Sequence, residues 1–409
     1  MYSLHLSAEQ LEIRDTVRDF VTAEIKPVVL NADRLDAGDR RLPIDLLDRA
    51  SQMGLRTLAL SEDHGGAGAD HLTCCIVTEE LAAGDADIAA ALSATARLGH
   101  ILFDRAMSEG QRDRFLPAFL NDDRCHLAFA GHEPETDTRL GVNYHRPVTI
   151  DNRVGTAAMP ADDGGWTING FKDCVANAPI ATLFAVTVAM PGGGNGIVLV
   201  PSDAPGLTVR ANDNAWHHGP CGEIELKDCR VPADNLLGPD AARLLAADAS
   251  GRGIPLFQAL NLGIGRAAYE AALDYAQLRV QGGRRIVEHQ AIGTKLAEIA
   301  VKLEVARGAI WQAAWASDHP EAYADRSLSD LPLQTIAQVF TAEMIVEAAK
   351  GAAECFGAMG VMRDMPLQKY VRDARVCLHT GDGSGDAKLR IAEAVTDYRR
   401  PSRAALAAE

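Results

Sequence analysis

The sequence predicts an α+β chain of several domains, helical first, β-rich in the middle and helical again to the end. Three observations carry this. Its 409 residues exceed what one core usually serves. Apolar residues recur at helical spacing in both outer thirds of the chain, and between them the texture changes to short runs split by Gly, Pro and Asn-Gly. The expected domains are 1–124, 125–240 and 241–409.

Ser7 and Gln10 carry the pattern of a capping box, and Leu11, Ile13, Val17, Phe20, Val21 and Ile25 keep helical spacing up to Pro27. A second apolar-periodic run, LPIDLLDRASQMGL, ends near Gly54. The cluster SEDHGGAGAD then breaks the chain before a helix through CCIVTEELAAG. From Cys125 to about Pro232, GWTING, LFAVTVAM, GIVLVPS and GLTVR read as strands. PGGGNG at 191–196 reads as a hairpin loop rather than a nucleotide cradle, because strand-like runs flank it on both sides. Helical periodicity returns at about Ala241. GIGRAAYEAALDYAQLR, HQAIGTKLAEIAVKLEVARGAIWQAAWA and LQTIAQVFTAEMIVEAAKGAAECFG each span several turns.

A net charge of −16 argues against a nucleic-acid or anionic-membrane surface, since no basic stripe offsets the acids. Small-molecule chemistry is the better default. The eight cysteines are scattered without a CxxC pair, which fits a reduced interior where thiols act as small apolar residues. MYSLHLSAEQLEIRD has no cationic stretch leading into an apolar run, and no apolar segment reaches spanning length. A soluble, cytoplasmic protein is expected.

Taken in order, these pieces resemble the acyl-CoA dehydrogenase family over nearly the whole chain. LSAEQLEIRDTVRDFVTAEIKP looks like that family's first helix, and GLRTLALSEDHGGAGAD resembles its approach to a GG turn. YAQLRVQGGRRIVEHQAIGTKLAEIAVKLEVAR is similar to the family's signature without a gap, and ECFGAMGVMRDMPLQKYVRDARV resembles its QxxGGxG and RDAR segments. The resemblance implies a central β-barrel-like domain and a C-terminal four-helix bundle. It places FAD between them, with part of the site completed across a subunit interface in a homotetramer or dimer. It further implies an acyl-CoA or acyl-carrier thioester as substrate, a role in fatty acid metabolism, and an acceptor such as an electron-transfer flavoprotein.

By that resemblance, Arg279 and Gln281 reach the pyrophosphate and adenine end of FAD. Arginine suits a diphosphate through its permanent charge and planar fork; without the motif, an exposed helix-end arginine would be the plain reading. His289 and Gln290 match positions near the cofactor, and Gly357 and Gly360 match a turn that lets backbone approach the adenosine half. Glu354 stands where the family has glutamine, so an acceptor-only carboxylate replaces an amide. The family's TEPGAGSD becomes GHEPETDTRLG, with His132 at the threonine position. Its W-I-T-N becomes Cys174-Val175-Ala176-Asn177, so Cys174 and Ala176 replace an aromatic and a hydroxyl beside the flavin. Trp216, His217 and His218 read as a loop near the substrate mouth. The tandem histidines lack metal-site spacing, and no metal is expected.

HTGDGSGD, His379 to Asp386, follows RDAR where the family carries YEGT. The family's glutamate abstracts the α-proton of the thioester while flavin N5 takes the β-hydride. Without a gap, Thr380 falls at the tyrosine, Gly381 at the glutamate and Asp382 at the glycine. Some members carry the base on the helix that opens the C-terminal bundle; the matching position here is Gly253, with Arg252 its nearest charged neighbour. Asp382, one residue late and one methylene short, is either a replacement base on a glycine-flanked loop or a turn residue. Gly383 and Ser384 are candidate cofactor contacts, and Asp386 or Ser384 caps the following helix. Arg252, Gly381 and Arg97 are the substrate-side candidates, Arg97 being either a surface ion-pair residue or a partner for an acidic distal acyl end.

Three functions stay open. One is α,β-dehydrogenation of an acyl thioester with Asp382 as base. Another keeps the fold and FAD for chemistry that needs no base, such as desulfination or an oxidase or monooxygenase reaction. The third is a non-catalytic subunit of a hetero-oligomeric dehydrogenase.

Overall fold

Capping side chains set where the helices begin. In the computed structural model, which describes residues 5–35, 41–134, 154–162, 164–212, 217–247, 255–329, 331–379 and 383–396, α1 (Ala8–Phe20) follows Ser7. The Ser7 hydroxyl accepts from Gln10 N at 3.1 Å, and the Gln10 side chain accepts from Ser7 N at 3.0 Å. The expected stop before Pro27 does not occur. A π turn at Val21–Ile25 leads into α2 (Lys26–Val29), where Pro27 sits in a first turn and needs no N–H. Then come α3 (Ile44–Gln52), α4 (His71–Gly84), α5 (Ala86–Gly99) and α6 (Glu109–Asn121).

The β-rich segment gives β1 (His126–Ala130), β2 (Ala157–Pro160), β3 (Trp166–Ala176), β4 (Ala181–Ala189), β5 (Asn195–Pro201), β6 (Leu207–Ala211) and β7 (Cys221–Val231). They form one seven-stranded sheet ordered β1-β4-β2-β3-β7-β6, with β5 on β4. β4 and β5 are antiparallel across the expected glycine turn, where Gly193 and Gly194 take φ of 89° and 79°. β1 and β4 are parallel, so the sheet is mixed rather than a chain of hairpins. Alternation along β4 splits its side chains between two cores. Phe184, Val186 and Val188 join Ile168, Val198 and Ile224 on one face. Leu183 and Ala185 join Leu127, Leu199, Phe103 and Phe119 on the other.

After α7 (Asp240–Ala247) come α8 (Leu256–Leu278), the short hairpin β8 (Val280–Gln281) and β9 (Arg284–Arg285), and α9 (Gln290–Asp318). α10 (Glu321–Ala324), α11 (Leu333–Cys355), α12 (Leu367–Val376) and α13 (Gly383–Thr396) complete the chain. No helix among the described residues is long and apolar enough to cross a membrane.

Packing divides the chain into two units, Met1–Leu46 with Asp70–Ala90 and Gly251–Ile391, and Leu47–Ala69 with Ala91–Ser250 and Ala392–Glu409. In the first, α8, α9 and α11 pack on one another, with α12 and the N-terminal helix α4 against α8. Every residue of α4 from Thr73 to Gly84 is buried, so it has no solvent face and is enclosed by α1, α8 and α9. Contact with α8 is close: a Cβ on Gly263 would lie 2.4 Å from Glu79 O. Glu79 and Glu80, buried on α4, accept from Arg307 on α9 at 2.8 Å and from Arg18 on α1 at 2.7 Å, and Arg266 on α8 joins Glu80 at 2.8 Å. One charged node therefore ties four helices together. The second unit holds the whole β-sheet, α6, α7 and most of α5.

Candidate functional site

Within the β-sheet unit, the site begins where the chain leaves β1. Glu133 is buried and accepts from Gly155 N at 2.6 Å, from Thr156 N at 3.0 Å and from the Lys172 ammonium of β3 at 2.5 Å. Burial alone would raise the Glu133 carboxyl, but Lys172 and the Thr156 donors outweigh it and hold it below its ordinary value. Lys172 has no exposed surface, and burial lowers its ammonium against the pull of Glu133. The neighbouring residues pair likewise: His132 Nδ1 lies 2.5 Å from Asp173 Oδ1.

Antiparallel pairing of β3 with β7 slips between Lys172 and Val175, and Cys174 takes a left-handed φ of 51°. The bulge brings consecutive residues Asp173 and Cys174 to the same imidazole. Ligand atoms of His132, Asp173 and Cys174 all lie within 4.8 Å of one another. Of the residues expected beside the flavin, His132 and Cys174 thus meet, and Ala176 is exposed two positions further along β3. Asp173 escaped the sequence reading because no local pattern marks a bulge. His217 closes a loop, with Nδ1 at 2.6 Å from Gly219 O and Nε2 at 2.8 Å from Asn212 O. Arg97 is half-buried on α5 and interacts within the chain.

In the helical unit, Arg279 follows the last turn of α8 and Gln281 stands on β8. Both side chains are exposed, and neither makes a hydrogen bond or ion pair among the described residues. A permanent cation and a free amide so placed suit the diphosphate of a dinucleotide. His289 Nε2 lies 3.0 Å from Gln281 O and ties the hairpin to the start of α9, where Gln290 is exposed. The stacked rings of Tyr275 and Phe356, 4.1 Å apart, join the end of α8 to the Gly357 turn. Gly357 has a φ of 57°, a left-handed conformation that favours glycine, with open space where a Cβ would stand. Gly360 is small for a different reason: a Cβ there would lie 2.3 Å from Ala353 O. Glu354 is paired with Lys295 and borders a charged cleft of about 110 Å³ between α9 and α11.

Asp382, Gly381 and Arg252 lie outside the described residues, as do Thr380, Gly253 and Trp216. Their flanks are well anchored. Lys369 on α12, buried with Asp373 at 2.7 Å and Asp85 at 3.6 Å, fixes the RDAR helix. Cys377 donates to Asn261 Oδ1 of α8 at 2.6 Å. The helix preceding HTGDGSGD is thereby fastened to the helix that follows Arg252. α13 begins at Gly383, so Gly383 and Ser384 open a helix.

Three family descriptions match the chain in order: acyl-CoA dehydrogenase N-terminal domain over residues 7–123, middle domain over 149–229 and C-terminal domain over 255–395. An acyl-CoA dehydrogenase of Bacillus subtilis is 31% identical over 385 residues, covering 91% of this chain and 94% of its own. Butyryl-CoA dehydrogenase from Megasphaera elsdenii has the same fold, with a TM-score of 0.83 at 24% identity, covering 97% of this chain and 100% of its own. A glutaryl-CoA dehydrogenase from Mycobacterium smegmatis, solved in complex with FADH2, gives 0.80 at 21% identity, covering 97% and 96%. Fold, domain order and sequence together place this chain in the acyl-CoA dehydrogenase family of flavin-dependent oxidoreductases.

Proposed function

We propose that this protein uses FAD to remove an α,β hydrogen pair from an acyl-CoA or acyl-carrier thioester, with Asp382 accepting the α-proton. Family membership supports the oxidoreductase class and FAD. The observation that carries the reading is the exposed pair Arg279 and Gln281, whose side chains have no partner among the described residues. Bound FAD supplies the two-electron acceptor for the departing hydride.

The chain's own residues do the rest. Arg279 and Gln281 bind the diphosphate, His289 and Gln290 hold their hairpin, and Gly357 and Gly360 let backbone approach the adenosine. Glu354 borders this end. His132, Cys174 and Ala176 stand on the ring side, and Gly383 and Ser384 offer N–H groups at the start of α13. Asp382-Gly383-Ser384 repeats the acid, glycine and hydroxyl order of Glu-Gly-Thr, which supports Asp382 as the base. Its carboxylate oxygen takes the α-proton, while Arg252, Gly381 and Arg97 face the thioester and acyl chain. Leu278 and Val280, beside Arg279, and Val361 and Met362, after Gly360, are exposed apolar residues, which supports cover by a second copy in a dimer or homotetramer. Electrons then pass to a partner such as an electron-transfer flavoprotein.

Replacing Asp382 with Asn tests the base. FAD should stay bound while bleaching by acyl-CoA is lost. Bleaching at the wild-type rate removes Asp382 from the role and favours base-free chemistry on the same scaffold.

A further inference from the structure

Resting on the reading of Arg279 and Gln281 as diphosphate ligands, we infer that Arg284 is a second cation for that diphosphate, presented on the same face of the β8–β9 hairpin as Gln281. Gly282 and Gly283, with φ of 64° and 81°, make the tight turn that matches strand twist. The register then sets Gln281 directly opposite Arg284, and Val280 opposite Arg285. Residues so paired project from one face with Cβ atoms about 5 Å apart, so side chains as long as Gln and Arg can reach one diphosphate. Arg279 O accepts from Ile286 N at 2.8 Å, which extends the pairing, and alternation returns Arg279 to the face of Gln281.

The two arginines of β9 are differently committed. Arg285, on the other face, donates to Glu288 at 2.8 Å. That bond is the main reason the Glu288 carboxyl lies below its ordinary value, and the charge of Arg284 contributes least. Arg284 is exposed and makes no hydrogen bond or ion pair among the described residues. A dinucleotide diphosphate carries a negative charge on each phosphate. Arg279 answers one of them, and the planar fork of Arg284 answers the other, with the neutral Gln281 amide between. Local cations matter here because the net charge of −16 sets a field that disfavours a polyanion.

The test is FAD affinity, read by flavin fluorescence on release, and its dependence on salt. Arg284→Met should weaken FAD binding at least tenfold and flatten the loss of affinity as ionic strength rises. Arg284→Lys, which keeps the charge and loses the fork, should recover part of the affinity. Arg285→Met, on the opposite face, should change affinity less than twofold. FAD-free R284M should melt as the wild type does, which separates a lost contact from a disturbed hairpin. Unchanged affinity in R284M while Arg279→Met weakens binding overturns the role of Arg284 and leaves the diphosphate reading standing. Unchanged affinity in both variants takes the diphosphate off the hairpin and overturns both. An equal loss in R285M marks a general charge effect and overturns the assignment to one face.

Discussion

Lys172→Met is the most informative single perturbation of the frame under the candidate site. Lys172 is fully buried and donates to Glu133 Oε1 at 2.5 Å. Methionine keeps the length and removes the charge, leaving Glu133 buried and still accepting from Gly155 and Thr156. Breaking one side of a buried ion pair costs about 3–5 kcal/mol. The donors that remain set the expectation at about 3 kcal/mol, at the low end of that range. For a unit of this size that is a fall of about 6–12 °C in melting temperature. The pH dependence has a definite sign. In the wild type Glu133 is held below its ordinary value, so its contribution is full above the unfolded carboxylate range and is lost as pH falls through the folded value. In the variant, burial still raises the carboxyl while Lys172 no longer lowers it, so the folded value rises and the penalty shrinks as pH falls through it. The gap between the two proteins, measured by denaturant titration at pH 7 and again near pH 4.5, should therefore narrow on acidification. Lys172→Met with Glu133→Gln should recover part of the loss. A gap below about 1 kcal/mol at pH 7, within the range of an exposed pair, or a double variant as weak as the single one, refutes the reasoning.

Three further outcomes are expected. Burial, reinforced by Arg56, pushes His126 down to about 4, and its buried Nε2 has no hydrogen-bond partner among the described residues. The unfolded chain therefore takes up this proton first, and about 3 kcal/mol of stability should drain away as pH falls from 6.5 to 4; His126→Gln should flatten that slope in denaturant titrations, and an unchanged slope rejects the assignment. Gly360→Ala should destabilise by about 1–3 kcal/mol, because its Cβ would press on Ala353 O, and a wild-type melting curve would contradict this. Arg279→Met should weaken FAD binding at least tenfold without altering the melting of the FAD-free protein, read by flavin fluorescence on release; equal affinity would take Arg279 off the diphosphate.

Local signals in the sequence became local structure. The Ser7 and Gln10 pattern is a reciprocal cap, and the glycine run after β4 is a hairpin, because each depends on residues within a few positions. What was not legible depends on partners far along the chain. α4 reads as part of an N-terminal block, yet it is buried from Thr73 to Gly84 and lodges beside α8 and α9, its Glu79 and Glu80 paired with arginines of those helices. Lys172 reads as an ordinary strand lysine until Glu133, 39 positions away, is placed beside it. The His132, Asp173 and Cys174 cluster rests on one slipped register, which alternation cannot reveal. Pro27 misled for the opposite reason, since a π turn ahead of it let the helix restart.

The most direct test of the central claim is the visible spectrum of the purified protein, titrated anaerobically with acyl-CoAs of increasing length. The protein should carry bound FAD whose absorbance bleaches with at least one of them. A colourless protein that takes up no added FAD, or bound FAD that no acyl-CoA bleaches, would contradict it.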